Sequence, residues 1–250
     1  MWYKADCNDP ENYPAGHVML RYSKSDDGGL SFSNPINPAP NDPQGKQDYP
    51  FLTVSHDNHA YISYLNLPAN LSNDISGSPS VLRVVTPDDV GNTFKNSTIV
   101  DHSACQCCAT VVKFGPDNQV YVTSRSTFQN DSIALNDSNT PYQFPDGENR
   151  TIIRDITVSH STDGSEAQNF SNPVRVGNDR WFMNGCPDSG PGMDFDKNGT
   201  MHIDLFTGSE FAPQGPGFYY TTSNDAVKHS TNQYLFIYFL SNGFHQQHNI

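Results

Sequence analysis

The segment Ser25-Asp26-Asp27-Gly28-Gly29-Leu30-Ser31-Phe32 determines how this chain folds. A serine and an aspartate two residues apart, followed by glycine and an aromatic residue, are typical of a polar turn between adjacent β-strands. Eroded copies begin at Thr86, Ser161 and Ser223. The intervals of roughly 60 to 75 residues leave room for about four short strands in each unit. The sequence therefore predicts a protein built from repeated β-units.

A second repeated pattern lies between these turns. Apolar residues alternate on both sides of an Asn, Asp or Gly turn in residues 51–64, 111–122 and 193–203, which predicts a β-hairpin in each. No segment of ten or more residues has the apolar period of an α-helix, and 18 Gly and 18 Pro divide the chain into short pieces. We therefore predict an all-β fold.

The repeated turns resemble the Asp-box (BNR) repeats of sialidase-like β-propellers. The residues that carry this resemblance are Ser25, Asp27, Gly29, Phe32, Ser161 and Asp163. Three further phrases resemble a secreted microbial subset of that family: Cys105-Gln106-Cys107-Cys108, Arg154-Asp155-Ile156, and Trp181 followed by Gly185-Cys186-Pro187-Asp188-Ser189-Gly190-Pro191. The resemblance covers roughly residues 16 to 225 and implies a β-propeller with about four blades present, where the complete propeller has about six.

The same pattern divides the chain. Residues 1–225 are predicted to form an incomplete Asp-box propeller, and residues 226–250 a divergent or truncated C-terminal tail. The reason is that the last copy of the repeat no longer follows the motif after Asp225. An open array of sheets leaves unpaired strand edges. We therefore expect the propeller to be incomplete or to be closed by another chain.

Charge and hydropathy exclude several classes of partner. The chain has 27 acidic and 14 basic residues and a net charge of -13, which repels phosphate backbones, so no nucleic-acid partner is expected. The longest apolar run, residues 234–240, is too short to span a bilayer. With its disulfide-like cysteines, this composition predicts an extracellular or cell-surface protein whose export signal lies outside this chain.

Four cysteines, Cys105, Cys107, Cys108 and Cys186, are disulfide candidates, and Cys7 is left over. Two bridges among them have three connectivities, and a bridge from the Cys-rich segment to Cys186 would join two blades. If the segment is a strand, Cys105 and Cys107 face one side and Cys108 the other. The alternative is a thiolate metal site, completed by His102 or His202.

Two groups of aspartates could act as ligands or as turn caps. Asp194, Asp196 and Asn198 resemble the opening of a calcium loop, although Leu205 stands where a bidentate glutamate is needed. A hairpin turn is the simpler interpretation, and Asp27 is expected to cap its own turn. No cofactor is expected, with calcium the one cation that this loop could take.

Resemblance to sialidases implies a carboxylate clamp of arginines, a tyrosine nucleophile with a glutamate, and an aspartic acid. Arg125 and Arg154 are the clamp candidates, and the alternative for Arg154 is a local ion pair with Asp155. The Arg-Ile-Pro phrase of active members is absent, and no catalytic tyrosine can be assigned.

The segment around Trp181, Asp188 and Ser189 is a candidate ligand-binding rim, since aromatic faces stack on sugar rings and polar groups fix their orientation. The alternative places Trp181 between blades. Three functions follow: a propeller that binds a glycan or surface partner without an intact catalytic set, an exo-glycosidase that hydrolyses terminal sialic acids (or a fragment of one), and a thiolate metal-binding propeller.

Overall fold

The computed structural model describes residues 2–5, 18–43, 45–68, 80–88, 93–129, 152–177, 179–183, 185–224, 234–240 and 243–245. Cys7 lies outside these residues. The described residues form β-strands and one short 3-10 turn, Gly164–Glu166, which confirms the all-β prediction. Among them, no helix is long and apolar enough to cross a bilayer.

Fifteen strands are described, and we number them in chain order. The first five are β1 (Trp2–Ala5), β2 (Val18–Arg21), β3 (Gly45–Val54), β4 (Ala60–Pro68) and β5 (Ser80–Val85). The next five are β6 (Thr98–Ala104), β7 (Val111–Phe114), β8 (Val120–Gln129), β9 (Ile152–His160) and β10 (Val174–Arg175). The last five are β11 (Gly192–Phe195), β12 (Met201–Thr207), β13 (Gly217–Ser223), β14 (Tyr234–Leu240) and β15 (Gly243–His245).

These strands form successive antiparallel meanders. The strands β3 to β6 make one four-stranded unit, β7 to β10 the next, and β11 to β14 a third, while β1 and β2 belong to an earlier unit. Neighbouring units are linked by single pairs, Val18 with Lys46 and Ala104 with Ser126. Strand β14 pairs with β13 and strand β15 pairs with β14, so both continue the last sheet, and the division of the chain at residue 225 stays a prediction.

The hydrophobic core lies between successive meanders, where the face of one sheet packs on the next. One cluster joins β2 to the β3–β6 unit, a second joins that unit to β7–β10, and a third joins β7–β10 to β11–β14. Strand β9 is buried on both faces over most of its length because sheets cover it from both sides. Burial between stacked sheets is therefore the main stabilising interaction. Representative members of the three clusters are Leu20 and Ile62, Leu65 and Val122, and Ile156 and Ile203.

Hairpin turns close one edge of the sheets. The turns at residues 55–59, 115–119 and 196–200 each close with two backbone hydrogen bonds, as the sequence predicted. Asn58, Asn118 and Gly199 occupy the left-handed conformation there, with φ of 67°, 62° and 86°.

The turn at residues 25–32 is stabilised by its own polar side chains. The Ser25 hydroxyl donates to the Asp27 carboxylate and accepts from the Gly29 amide, and Asp27 accepts the Ser31 amide at 2.9 Å. The hydroxyls of Ser25 and Ser31 hold the pKa of Asp27 well below its usual range. Phe32 is 65% exposed and belongs to no core cluster.

The copy at residues 161–170 is built similarly, but its first serine is buried. Ser161 is fully buried, donates to the Gly164 carbonyl at 2.6 Å and accepts from the Val120 amide. The Asp163 carboxylate accepts from the Gln168 amide. These contacts fasten the connection between β9 and β10 to strand β8.

The opposite edge of the sheets gathers the long connections. Because neighbouring strands are antiparallel, the segments that enter β7 and β11 lie at the same edge as the segment between β12 and β13. We call residues 105–108 the cysteine turn and residues 185–191 the Gly-Cys-Pro loop. Both lie at this edge, which we call the loop edge.

Candidate functional site

The cysteine turn and the Gly-Cys-Pro loop are joined covalently and by close packing. A disulfide links Cys107 to Cys186, 79 residues apart in sequence, and so confirms the predicted bridge between neighbouring units. A Cβ at Gly190 would overlap the backbone carbonyl of Ala109, so only glycine allows the two segments to approach this closely. The loop edge is therefore a fixed surface.

The remaining two cysteines correct the prediction of two bridges. Cys105 and Cys108 are free and buried, with their Sγ atoms 2.9 Å apart. Residues 105–108 form a turn after β6 and not a strand, with the Cys108 amide directed at the Cys105 carbonyl. The alternation expected of a strand is therefore wrong, and the sulfurs of Cys105, Cys107 and Cys108 lie within 4.8 Å of one another.

Positive charge beside these sulfurs disfavours a metal ion. The Arg154 Nη1 atom donates to the Cys105 Sγ at 3.1 Å. The Cys107 sulfur is bonded to Cys186 and so cannot act as a thiolate ligand. Two histidines were predicted as further ligands. His102, on β6, is exposed, and His202, on β12, forms a hydrogen bond with Tyr220 of β13. A cation at the cysteine turn would face the guanidinium group at close range.

Arg125, a predicted ligand-binding residue, lies in the interior. Its side chain is 1% exposed, and its guanidinium donates to the carbonyls of Ser189, Arg154 and Phe206 at 3.0, 2.7 and 2.7 Å. Its Cζ lies 4.9 Å from the centroid of Trp181. Burial lowers the pKa of Arg125. This arginine ties the Gly-Cys-Pro loop to strands β9 and β12.

Arg154 has a comparable position on the neighbouring strand. It is 2% exposed and donates to the Met183 carbonyl at 3.1 Å as well as to Cys105. The alternative interpretation, a local ion pair between Arg154 and Asp155, does not agree with the structure. Successive residues of a strand point to opposite faces, so the two side chains point away from each other. Asp155 instead accepts the amides of Arg180 and Trp181 at 3.2 and 3.0 Å. Burial raises the pKa of Asp155.

Trp181, the predicted aromatic of the rim, is half-buried between β9 and β12. A Cβ at Gly208 would lie 2.6 Å from two atoms of the indole ring, and the Phe206 ring meets it edge-on at 5.5 Å. With Arg125 over the ring as well, Trp181 packs against the framework of the loop edge.

The exposed part of the loop edge contains a residue that the sequence interpretation missed. Tyr49 donates through its hydroxyl to the carboxylate of the exposed Asp188 at 3.3 Å. It sits where β3 and β4 change register between Asp48 and Phe51, with a φ of 53°. Thr110 fixes this β-bulge by donating to the Tyr49 carbonyl at 3.2 Å. Ser189, beside Asp188, contributes its backbone carbonyl to Arg125.

Burial and nearby charge shift the protonation of this surface. Burial and the carboxylate of Asp188 raise the pKa of Tyr49 to about 12, so the phenol is neutral and can donate. Burial also raises the pKa of Asp48, opposed by Lys46. We call Asp48, Tyr49 and Asp188 the Tyr49 surface. Its members can accept from sugar hydroxyls, and the phenol ring supplies an apolar face.

The predicted calcium residues have the contacts of a hairpin turn. The Asp196 Oδ1 atom accepts the amides of Asn198 and Thr200 at 2.8 and 2.9 Å, while Asp194 lies 3.2 Å from the Lys113 ammonium group. Backbone amides and an ammonium group are therefore the partners of these two carboxylates in the structure. A calcium site here stays an untested prediction.

Comparison with known proteins relates the fold to carbohydrate-active enzymes. No protein-family model and no curated protein matches the sequence. The intramolecular trans-sialidase from Ruminococcus gnavus matches with a TM-score of 0.52 and 11% identity over 92% of this chain and 65% of its own. A Hadza microbial sialidase matches with a TM-score of 0.50 and 12% identity over 86% of this chain and 40% of its own. The Penicillium chrysogenum α-L-arabinanase has a TM-score of 0.47 and 14% identity, over 90% of this chain and 60% of its own.

The two sialidase-related matches, together with the described sheets, establish the fold, a sialidase-type β-propeller. The chain spans 40% and 65% of the two sialidase-related structures, and its described sheets form an open array.

Proposed function

We propose that this chain is part of a secreted sialidase-like propeller with Asp-box repeats, and that it binds neutral glycans at the Tyr49 surface without hydrolysing sialosides. The observation that carries the proposal is the exposed hydrogen bond between Tyr49 and Asp188, where a strand bulge meets a disulfide-tied loop. An aromatic face beside carboxylate acceptors on a rigid frame is the usual chemistry of a sugar site.

The state of the two candidate clamp arginines supports a neutral ligand. Arg125 and Arg154 donate to backbone carbonyls and to a cysteine sulfur inside the protein, so these two guanidinium groups are not offered to a ligand carboxylate. The Tyr49 surface itself carries Asp48 and Asp188, and the whole chain has a net charge of -13. An anionic sugar would be repelled there.

The disulfide supports an extracellular location. Cys107 and Cys186 form a bridge, and such bridges persist in oxidising surroundings. We therefore propose an extracellular or cell-surface location, where the partner would be a glycan or a glycosylated surface.

A glycan array followed by calorimetric titration tests the proposal. We expect saturable binding of at least one neutral oligosaccharide, with the Kd raised about tenfold or more in Tyr49→Ala or Asp188→Ala, as for a central contact. Asp26→Ala is the matched control, because Asp26 is exposed in the turn at the opposite edge. Binding that both variants retain at wild-type affinity would refute the assignment to this surface.

A second candidate function is hydrolysis of a terminal sugar, favoured by one observation. Burial raises the pKa of Asp48, as a general acid requires, and Asp48 adjoins a tyrosine whose hydroxyl contacts a carboxylate. A panel of fluorogenic glycosides distinguishes the two functions. Turnover that Asp48→Asn abolishes while glycan affinity persists would establish the enzyme, whereas binding without turnover supports the binding function.

A further inference from the structure

The cysteine turn brings a free thiol against a disulfide. The Cys105 Sγ atom lies 3.6 Å from the Cys107 Sγ atom, which is bonded to Cys186. On its other side, the Cys108 Sγ atom lies at 2.9 Å. Three sulfurs in one turn therefore form a row in which a nucleophile, an electrophile and a second thiol are in contact.

The surroundings of Cys105 favour its thiolate. The Cys108 thiol donates to it, Arg154 donates to it from Nη1, and Arg125 adds positive charge nearby. These contacts lower the pKa of Cys105 to about 6, against the effect of burial. The pKa of Cys108 is raised well above its usual range, because that thiol is the hydrogen-bond donor of the pair and is also buried. A thiolate is the attacking species in thiol–disulfide exchange.

We propose that the cysteine turn is an internal thiol–disulfide exchange site in which Cys105 opens the bridge between Cys107 and Cys186. The Cys105 thiolate attacks the Cys107 sulfur, a bond forms between Cys105 and Cys107, and Cys186 leaves as a thiolate. Cys108 then loses its proton to solvent and attacks the Cys105 sulfur, which releases Cys107 as a thiolate. One disulfide is broken and one is formed, so no external oxidant or reductant is required.

The exchange changes what holds the loop edge together. The original bridge connects residues 79 apart in sequence, whereas a bridge between Cys105 and Cys108 stays within one turn. After exchange the Gly-Cys-Pro loop has lost its covalent tie and keeps the hydrogen bond from Arg125 to Ser189. The proposal holds whether or not the loop binds a glycan, since its chemistry involves only these four cysteines.

Disulfide mapping of the folded chain tests the proposal, with Cys7→Ser used to remove the fifth cysteine. The protein is incubated without oxygen at pH 5 or pH 8 with a chelator, quenched in acid, digested with pepsin and analysed by mass spectrometry. We expect the bridge between Cys105 and Cys108 to appear about tenfold faster at pH 8, in proportion to the thiolate fraction of a group with a pKa of about 6. Circular dichroism confirms that the chain stays folded.

Two variants separate the steps. Cys105→Ser should keep the bridge between Cys107 and Cys186 at every pH, and Cys108→Ser should accumulate the bridge between Cys105 and Cys107 at most. A wild-type map that shows only the original bridge at pH 8 would overturn the proposal. Loss of that bridge at an unchanged rate in Cys105→Ser would overturn it as well, because the nucleophile would then be another group.

Discussion

Replacing Arg125 by alanine removes the side chain that connects three segments of the loop edge. The guanidinium donates to the carbonyls of Ser189, Arg154 and Phe206, and each buried carbonyl left without a donor costs about 1–3 kcal/mol. The hydrogen bond to the Arg154 carbonyl is buried and those to Ser189 and Phe206 are partly buried, so we take about 2 kcal/mol for the first and about 1 kcal/mol for each of the others. We expect Arg125→Ala to lower the free energy of unfolding by about 4 kcal/mol.

Thermal unfolding followed by circular dichroism measures this effect. For a chain of this size, about 4 kcal/mol corresponds to a fall in Tm of roughly 8–16 °C. Arg21→Ala is the matched control, because the Arg21 guanidinium donates to the adjacent Leu20 carbonyl at 3.3 Å, and we expect it to change the stability by at most about 1 kcal/mol.

A Tm for Arg125→Ala within about 2 °C of the wild-type value would refute the structural role of this arginine. That result would show that the guanidinium is not needed to satisfy the three carbonyls. The arginine would then be available to a ligand, and the argument for a neutral glycan would lose its main support.

Three further changes test other parts of the structure by their effect on Tm. Gly208→Ala should destabilise the protein by about 1–3 kcal/mol, because its Cβ would lie 2.6 Å from the Trp181 ring. Asp27→Asn should lower Tm at pH 7, and this difference should shrink as the pH falls below about 3.9, because the lowered pKa of Asp27 stabilises the fold only while the carboxylate is ionised. The double variant Cys107→Ser and Cys186→Ser should lose about 2–4.5 kcal/mol, because the bridge closes a loop of 79 residues.

Each of these changes has a control or a contradicting result. Gly185→Ala would place a Cβ at an ordinary 3.4 Å from the Met183 side chain, so an equal loss there would show that crowding is not the cause. Asp26→Asn is the control for Asp27→Asn, because Asp26 is the exposed neighbour in the same turn, and an equal fall in Tm there would show that the hydrogen bonds from Ser25 and Ser31 to Asp27 are not the cause. A double cysteine variant as stable as the wild type would mean that the bridge does not constrain the unfolded chain.

Local sequence signals were sufficient to predict the fold class. Alternating apolar residues and the turns around Asn58, Asn118 and Gly199 specify hairpins through contacts between near neighbours in sequence. The capping of the turn at residues 25–32 is also local. The tail beyond residue 225 was harder to predict, because 234–240 belongs to the sheet through its pairing with β13 and not through a repeat motif.

The site could be predicted only in part, since its geometry depends on distant residues. The sequence around Arg125 and Arg154 correctly indicated the loop edge. It did not predict the contacts of Arg125, because its partners lie up to 81 residues away in the chain. Tyr49 had no motif, because its bulge arises from the register of β3 with β4. The one available signal was the following Pro50, which cannot donate to a strand ladder. Strand alternation would place Cys105 and Cys108 on opposite faces, whereas the turn at residues 105–108 brings their Sγ atoms to 2.9 Å.

One equilibrium measurement distinguishes a neutral-glycan site from a sialidase-type site. The neutral oligosaccharide with the highest affinity on the array is titrated by calorimetry beside its α-sialylated form. A carboxylate about 8 Å from the added charge contributes about 0.5 kcal/mol of repulsion in water, so Asp48 and Asp188 together predict about fivefold tighter binding of the neutral glycan. Asp188→Asn should narrow that difference. Tighter binding of the sialylated form would contradict the proposed site and indicate a carboxylate clamp.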